Sequence, residues 1–448
     1  MTHPLEQFRA PIGWSPDQEA SGEAVCAVSH DPDLATGVNY VGPYDAPFDG
    51  VAEAVRRHAL ALDGAGIPVF LSSSGGTRGR RFADLEETVR QKVDTLTMCR
   101  HKESLLRVVH TILGRSTVHI AVFPRTQVEL RRDELHRLQK TTVLMTVHER
   151  LTADKELRAL VTLMRLLAEV WVPCSRNKRV LVEAGLPEDM VHVIPHPYDP
   201  DDLPLFEEGL RQAAQARSSP GKPFQLFNCG KWEPRKGQHE LIGAFLLEFR
   251  PKDNVRLAIK TSSFGRWPGY PEGPVQSAKH WLQTEAVKKN GWTLPLVQKA
   301  LTPIVDSVPR EALVAMHCQA DCYVSASRSE GFDLPAFDAK LAGRRMVYVR
   351  AGGPEDFASS DDIPVETEPG QLADAHKQYG WEGAKWSGHT VEQLQTALRT
   401  AYVRRDIPSH RLLSSRYSPE AVGRLMRQRV EAIMDKIALQ EGTDDADR

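Results

Sequence analysis

Two glycines and three basic side chains lie within one short segment, 229–237, which reads Cys-Gly-Lys-Trp-Glu-Pro-Arg-Lys-Gly. Glycine lets a ligand approach the backbone closely, and lysine and arginine form charge-assisted hydrogen bonds with phosphoryl oxygens. A predicted strand precedes the segment and a predicted helix follows it, so that helix amides add partial positive charge. The segment therefore favours a diphosphate site, although a solvated basic turn has the same composition. The candidate ligands are Gly230, Lys231, Arg235 and Lys236.

A second segment, 325–338, also runs from a predicted strand through a polar loop into a helix. In an open parallel sheet, ligands bind beyond the carboxyl ends of the strands, where carboxylates can accept hydrogen bonds from sugar hydroxyls. Simpler interpretations are a solvated loop carboxylate for Glu330 and complementation of the helix dipole for Asp338. The candidate residues of this segment are Glu330, Gly331, Phe332, Asp333, Leu334 and Asp338.

Alternating strands and helices are expected to position both segments. A proline-rich linker over 195–221 separates two such series, and the predicted helix 419–439 ends the chain with a frayed tail from residue 441. The first series has strands over 24–29, 67–71, 117–123, 142–147, 170–172 and 191–194, with a loop over 30–44. The second has strands over 224–228, 255–260, 323–325 and 346–349, and helices over 240–249, 310–319 and 334–341. The predicted domains are 1–198, 199–418 and 419–448.

Composition narrows the class of protein. With 448 residues the chain is too long to form a single hydrophobic core. Its 41% of hydrophobic residues is enough to form two such cores. Because 57 Lys+Arg nearly balance 59 Asp+Glu, we expect no nucleic-acid partner. The six cysteines are scattered and indicate reduced thiols, and neither a leader nor a membrane span is visible, so we expect a cytoplasmic protein. The basic loop around Arg78, Arg80 and Arg81 leaves peripheral membrane contact open.

In this order and with this separation, the two segments resemble the retaining glycosyltransferases of family 4, mainly over residues 140–350. The resemblance implies the GT-B fold, in which two Rossmann-like α/β domains face each other across a cleft and the C-terminal helix could cross back to the N-terminal domain. Lys231 stands where the family usually has Arg, and Lys236 matches its Lys; both would bind the donor diphosphate. Glu330 matches the first Glu of the Glu-x7-Glu pattern and would contact the donor sugar. Asp338 replaces the second Glu, which holds the ribose in the family.

The resemblance also assigns residues of the N-terminal half. His148 follows a predicted strand and resembles the cleft-facing histidine near the transferred sugar, although a single histidine is more often structural. Gly37 and Asn39 stand near the family's glycine pair on the acceptor side. Asp31 and Asp33 match a metal-binding Asp-x-Asp pattern, but we interpret them as loop carboxylates and expect no required metal.

The implied activity is transfer of a sugar from a nucleoside diphosphate sugar to an acceptor hydroxyl with retention at the anomeric carbon. The catalytic candidates are then His148, Glu330 and Lys236, with the nucleotide sugar as co-substrate and no cofactor. Two alternatives stay open: a catalytically silent nucleotide-sugar-binding or scaffold protein, and another GT-B enzyme such as an epimerase. The sequence leaves the base, the sugar, the acceptor and the oligomeric state undecided.

Overall fold

The computed structural model describes residues 36–42, 44, 49–67, 69–73, 87–94, 96, 118–124, 140–217, 221–262, 267–375, 383–405, 411 and 415–446. Two compact units make up this part of the chain. The first contains the described residues up to Met145 and those from Gly423 onward, and the second contains Thr146–Val422. The predicted domain boundary at residue 198 stays a prediction.

The first unit contains four strands in the order β2-β1-β3-β4. They are β1 (Thr36–Gly42), β2 (Val69–Ser73), β3 (Val118–Pro124) and β4 (Thr142–Met145). Strand β1 runs parallel to β2, but β3 runs antiparallel to both β1 and β4. The predicted strand 24–29, which was expected to pair in parallel with the strand 67–71, lies outside the described residues. An apolar run predicts a strand but not its direction, because either direction buries the same side chains.

Strand β1 lies inside the predicted loop 30–44, so that this loop prediction was wrong over residues 36–42. The glycines there indicated a turn, but Val38 and Tyr40 alternate into the core and are fully buried. Gly37 and Asn39 therefore lie within a strand and not in a loop. Several predicted features lie outside the described residues: the strand 24–29, the helix 127–139, the Asp31–Asp33 pattern and the basic loop around Arg78, Arg80 and Arg81.

Three helices whose bounds the structure describes belong to the first unit. Helix α1 (Gly50–Gly64) begins at Asp49, whose carboxylate accepts hydrogen bonds from the Val51 and Ala52 amides. The other two are α2 (Glu87–Asp94) and the part of the C-terminal helix from Gly423 onward.

The C-terminal helix, Pro419–Ala446, returns to the first unit as predicted. A Cβ at Gly423 would lie 2.1 Å from the Ala61 carbonyl oxygen, and Arg427 Nη1 donates to the Ala65 carbonyl at 3.0 Å. The helix continues to Ala446, and the predicted fraying from residue 441 stays a prediction. A single glycine, Gly442, weakens a helix by only about 1 kcal/mol and does not have to end it.

The second unit begins with the parallel pair β5 (Glu169–Val172) and β6 (Val191–Val193), with α3 (Lys155–Met164) and α4 (Ser175–Glu183). Helix α5 (Leu203–Arg217) follows inside the predicted linker, so the expectation that prolines exclude a helix there was wrong. Pro204 is the second residue of α5, where a proline is tolerated because the first-turn amides have no intrahelical acceptor.

Six parallel strands form the main sheet of this unit, in the order β12-β11-β10-β7-β8-β9. They are β7 (Phe224–Cys229), β8 (Val255–Lys260), β9 (Leu301–Ile304), β10 (Cys322–Ser325), β11 (Arg345–Val349) and β12 (Ile363–Val365). The helices are α6 (Gln238–Glu248), α7 (Gly273–Trp281), α8 (Glu285–Lys289), α9 (Leu294–Ala300), α10 (Arg310–Gln319), α11 (Leu334–Leu341), α12 (Pro354–Phe357) and α13 (Val391–Val403). An antiparallel ladder joins β13 (Leu372–Asp374) to β14 (Lys385–Ser387).

Helices cover both faces of this sheet, because successive strand residues enter different cores. Leu226 packs in one core with α6 and α13, and Phe227 packs in the other with α10 and α11. The predicted α/β class is thus confirmed, and the strand order reverses between β7 and β10. Such a reversal leaves a crevice beyond the carboxyl ends of two adjacent strands, where ligands bind. Within the described residues, no helix has the length and hydropathy needed to cross a membrane.

Candidate functional site

The two predicted segments follow β7 and β10, the strands on either side of the reversal point. After β7 the chain forms a short 3-10 helix, Pro234–Lys236, and then Gly237, which has φ +62° and begins α6. A Cβ at Gly237 would lie 2.2 Å from the Ala326 carbonyl oxygen at the end of β10. A glycine is therefore required both for the left-handed backbone and for the close approach of the two turns.

Lys236 and Glu330 meet between these turns. The Lys236 ammonium forms a hydrogen bond and ion pair with Glu330 Oε1, and the Ser327 hydroxyl donates to the same oxygen. The Glu330 amide donates to the Ala351 carbonyl at 2.8 Å, which fixes the backbone of the carboxylate. The structure thus brings together the residues predicted to bind the diphosphate and the sugar.

Charge and burial set the protonation of this pair. Burial alone would raise the pKa of Glu330, but Lys236 and Arg235 outweigh it and hold that pKa at about 2. Burial would lower the pKa of Lys236, but the Glu330 carboxylate raises it above its ordinary value. Both groups are therefore charged at neutral pH, and Glu330 can only accept hydrogen bonds.

Arg235 is buried beside this pair, and four protein oxygens surround its guanidinium. Nη1 donates to the Ser329 carbonyl at 2.7 Å and lies 3.3 Å from Glu330 Oε2. Nη2 lies 2.6 Å from Glu233 Oε1 and 3.0 Å from Glu149 Oε1. The role of Arg235 as a diphosphate ligand stays a prediction. In the structure its guanidinium contacts three carboxylates.

The other two residues of the basic segment differ in exposure. Lys231 is exposed on the turn after β7. Gly230 lies under the Lys236 side chain, and a Cβ at Gly230 would be 3.4 Å from Lys236 Cδ. Gly230 thus provides the surface along which the lysine extends toward Glu330.

The residues of the loop after β10 differ in their contacts and burial. A Cβ at Gly331 would lie 1.9 Å from Val147 Cγ1, so only glycine fits between this loop and the segment after β4. Phe332 packs in the core, with ring centroids 4.7 Å from His196 and 5.3 Å from Phe337. Leu334 is partly buried.

Asp333 starts helix α11 from a left-handed conformation, φ +70°. Its Oδ1 accepts from the Ala336 amide at 3.3 Å, and its Oδ2 accepts from the Ser325 hydroxyl at 2.5 Å. Burial and the nearby Glu330 raise the pKa of Asp333 to about 6. Its carboxylate thus serves as the helix cap, and the predicted donor contact would come from its backbone.

Asp338 is buried in α11 and forms a bidentate ion pair with Arg310. The Arg310 Nη1 and Nη2 atoms lie 2.5 Å from Oδ2 and 3.0 Å from Oδ1 of Asp338. Nη2 of the same guanidinium also lies 2.7 Å from Asp202 Oδ2. The predicted ribose contact stays a prediction, and it would have to form in addition to these protein bonds.

His148 is buried three residues beyond β4. Its backbone amide donates to Asn177 Oδ1 at 3.0 Å, and its carbonyl accepts from Asn177 Nδ2 at 2.7 Å. Its Nε2 is buried, and no hydrogen-bond partner for it is present among the described residues. Burial, and then the positive charge of Arg150, lower the pKa of His148 to about 3, so that its imidazole is neutral at neutral pH.

Sequence reasoning missed several residues that build this site. Glu149 and Glu233 contact Arg235, and Ser327 contacts Glu330, but a sequence does not show which side chains converge. Gly352 could have been found, because it lies three residues beyond the carboxyl end of β11. It has φ +142°, and its Cβ would lie 1.8 Å from the Glu330 carbonyl oxygen. Within the described parts of the chain, no group of three His, Cys, Asp or Glu side chains could hold a metal ion.

Comparisons with known proteins show partial similarity to glycosyltransferases. No protein-family model matches the chain. A D-inositol 3-phosphate glycosyltransferase of Corynebacterium efficiens is 30% identical over 189 residues, 40% of this chain and 39% of that protein. One from Corynebacterium glutamicum is 26% identical over 192 residues, 41% of this chain and 40% of that protein. The chain spans less than half the length of these curated relatives.

Solved structures align over most of the chain at low identity. Anabaena Alr3699/HepE in complex with UDP and glucose has a TM-score of 0.48 and 13% identity, covering 90% of this chain and 98% of that one. Sucrose-phosphate synthase from Thermosynechococcus elongatus has a TM-score of 0.48 and 14% identity, covering 91% and 97%. The lipopolysaccharide outer core galactosyltransferase WaaB has a TM-score of 0.49 and 10% identity, covering 88% and 98%.

Proposed function

We propose that the chain is a retaining, hexosyltransferase-like glycosyltransferase of family 4 type, which moves a sugar from a nucleoside diphosphate sugar to an acceptor hydroxyl. The contact between Lys236 and Glu330 carries the proposal. A cation suited to a diphosphate touches a carboxylate suited to sugar hydroxyls, at the reversal point of a parallel sheet. The partial similarity to curated glycosyltransferases supports the same activity.

In the proposed reaction the bond between the anomeric carbon and the diphosphate oxygen breaks, and its electron pair stays on the diphosphate. Lys236 and Lys231 stabilise that developing charge, together with amides at the start of α6. The acceptor oxygen bonds to the anomeric carbon on the face that the diphosphate leaves, and its proton passes to an oxygen of the leaving phosphate. No side chain of the protein acts as nucleophile.

Three further residues position the donor in this proposal. Glu330 is ionised and accepts hydrogen bonds from hydroxyls of the transferred sugar. His148 is neutral, and its buried Nε2 is a candidate to hydrogen-bond the sugar or the leaving phosphate. Asp338 is the candidate ribose contact, and it would accept a ribose hydroxyl while paired with Arg310.

A donor screen tests the proposal. Nucleotide release is measured with UDP-, GDP- and ADP-sugars and a set of acceptor alcohols, and NMR of the product gives its anomeric configuration. We expect retention, and a kcat/KM lowered about 100-fold or more by Lys236→Ala and by Glu330→Gln. Lys252→Ala, at an exposed lysine outside the site, serves as the control. Unchanged transfer in both site variants would overturn the assignment.

A second candidate function is a catalytically silent nucleotide-sugar-binding or scaffold protein. The Arg310–Asp338 ion pair favours it, because the carboxylate predicted to hold the ribose already has a cationic partner. Calorimetric binding of a nucleotide sugar without turnover on any acceptor would support this alternative. Epimerisation, a third possibility, would change the sugar without releasing nucleotide.

Several earlier expectations stay predictions under this proposal. Gly37 and Asn39, now located in β1, are the candidates for the acceptor side. The cytoplasmic location and peripheral membrane contact are likewise untested expectations. The donor screen would identify the base, the sugar and the acceptor. A sedimentation measurement would give the oligomeric state.

A further inference from the structure

Glu149 shares the Arg235 guanidinium with two other carboxylates. Its Oε1 lies 3.0 Å from Arg235 Nη2, and Glu233 Oε1 lies 2.6 Å from the same nitrogen. Glu330 Oε2 lies 3.3 Å from Nη1 and also pairs with Lys236 through its other oxygen. These contacts join three carboxylates to two cations, and no positive charge is left over among the five groups.

Burial makes this charge balance matter. The side chains of Arg235, Glu330 and Glu233 are 6%, 7% and 12% exposed, and that of Glu149 is 32% exposed. Solvent and salt screen charges weakly at such depth. A diphosphate placed against Lys236 would therefore add negative charge to a group that already carries more carboxylates than cations. The repulsion is relieved most simply if one of the carboxylates becomes neutral.

We propose that Glu149 takes up a proton from solvent when the diphosphate of a nucleotide sugar binds at Lys236. The neutral carboxyl then leaves Arg235 balanced by Glu233 and Glu330, and its hydroxyl can donate a hydrogen bond. This inference rests on the proposed function, since it requires a diphosphate at Lys236. It makes Glu149 a positioning residue that adjusts the charge of the site to its anionic ligand.

The surroundings of Glu149 distinguish it from Glu330. Burial raises the pKa of Glu149, Arg235 and Lys236 oppose that effect, and Glu330 and Glu233 add to it. The same two cations and the Ser327 hydroxyl keep Glu330 ionised, with a pKa of about 2.

The other groups around Glu149 are accounted for. On its own segment, His148 is neutral, and Arg150 is paired with Asp154 at 2.7 Å and with Glu156 at 2.5 Å. The charged groups facing it from the turn after β7 are Glu233, Arg235 and Lys236, and Glu330 faces it from the loop after β10.

Asp333 is the competing proton acceptor. Burial and Glu330 raise its pKa to about 6, and its carboxylate caps α11. Its two oxygens accept hydrogen bonds from Ala336 and Ser325, which a protonated carboxyl would satisfy less well. The experiment therefore has to separate Glu149 from Asp333.

Calorimetry measures the proton uptake directly. UDP-, GDP- and ADP-glucose are titrated into the full chain near pH 7 in buffers of different ionisation enthalpy, and the slope of the binding enthalpy against that enthalpy counts the protons. Nucleotide sugars are the probes because a free nucleoside diphosphate has a terminal phosphate that itself titrates near about pH 6. We expect an uptake approaching one proton, and an affinity that falls up to about tenfold per pH unit as pH rises.

Four variants identify the group. Glu149→Gln should abolish the uptake and flatten the pH dependence of affinity, whereas Glu149→Asp should retain both. Glu285→Gln, at an exposed glutamate outside the site, is the matched control, since Glu233→Gln would itself remove negative charge from the cluster. Asp333→Asn keeps a residue suited to a left-handed helix cap. Both controls should retain the uptake of the unaltered chain.

The outcomes separate the two proposals. If a nucleotide sugar binds without proton uptake, or if uptake persists in Glu149→Gln, the inference about Glu149 is overturned and the proposed function stands. Loss of uptake in Asp333→Asn would assign the proton to Asp333 instead. If no nucleotide sugar binds, the proposed function fails and the inference fails with it. If Glu149→Gln does not fold, the number of protons taken up by the unaltered chain and by the two controls still tests the inference.

Discussion

At the scale of single residues, the Lys236–Glu330 pair keeps both groups in the charge states that their proposed roles need. Burial works against each charge, but each group offsets that cost for the other. Glu330 stays an acceptor for hydroxyl groups, and Lys236 stays a cation for phosphoryl oxygens. Arg235 is buried among carboxylates, so a role that needs an exposed guanidinium is not open to it.

The position of Lys236 depends on Gly237, which gives a prediction at the residue scale. Gly237→Ala should destabilise the chain by more than about 2 kcal/mol, because a side chain at φ +62° is strained and its Cβ would collide with the Ala326 carbonyl. Urea unfolding measures the loss, and binding of a nucleotide sugar should weaken in the folded fraction.

Gly291→Ala is the matched control for that substitution. Gly291 has φ +85°, and a Cβ there would meet nothing within 4 Å. This control carries the backbone strain without the collision, so a loss of about 1 kcal/mol is expected. Equal losses in the two variants would show that the close approach to β10 is not what requires glycine at Gly237.

At the scale of elements, Arg310 joins three of them. It begins α10 and binds Asp202 at the end of the 3-10 turn Pro200–Asp202 that precedes α5, as well as Asp338 in α11. The loop that carries Glu330 leads directly into α11, so the ion pair also fixes the helix behind the site. Arg310 therefore acts on the site through helix packing, whether or not Asp338 contacts a ribose.

Arg310→Met should lower the free energy of unfolding by about 3 kcal/mol, because it leaves the buried Asp338 carboxylate without its cation. Denaturant unfolding is the measurement. The double variant Arg310→Met with Asp338→Asn should recover part of the loss, since the unpaired charge is removed. Lys288→Met, which breaks an exposed pair with Glu285, should change stability by no more than about 0.5 kcal/mol. If Arg310→Met lowered the free energy of unfolding as little as this control does, Arg310 would not be holding the three elements together.

At the scale of the whole molecule, the α/β class and the strands on either side of the reversal point were predictable, because buried strands and amphipathic helices have distinct periods. Helices α10 and α11 begin and end at the predicted residues. The sequence also placed Lys236 and Glu330 in one site, since both follow strands at the same edge of a parallel sheet.

What could not be predicted depended on partners far away in the chain. Strand β3 pairs in the antiparallel direction, and strand direction leaves no periodic signal. Arg235 is a residue type that commonly binds phosphate. Two of its carboxylate partners are distant in the chain: Glu149 lies 86 positions before it and Glu330 lies 95 positions after it. The ion pair of Asp338 with Arg310, which lies on another helix, left no local signal either. In each case the local pattern was correct, and a tertiary contact decided the side chain's environment.

Buried histidines predict how the molecule responds to acid. Burial lowers the pKa of His148, His317 and His389 to about 3, 4 and 3, against about 6.5 in an unfolded chain. The unfolded chain therefore binds more protons below that value, and the stability that these neutral histidines contribute is present above about pH 6.5 and lost as pH falls toward their folded pKa values. Each histidine should add up to about 1.4 kcal/mol per pH unit to the loss.

His317 isolates this effect from the site. It is fully buried between Phe227 and Tyr323, and neither ring nitrogen has a hydrogen-bond partner among the described residues. His317→Leu should therefore fold, and urea unfolding between about pH 7 and pH 4 should show a slope reduced by about 1.4 kcal/mol per unit. Val275→Ala, at an exposed residue that does not titrate, should leave the slope unchanged. A slope unaltered by His317→Leu would mean that this histidine has the same pKa in the folded and unfolded chains, and that its burial does not shift that pKa.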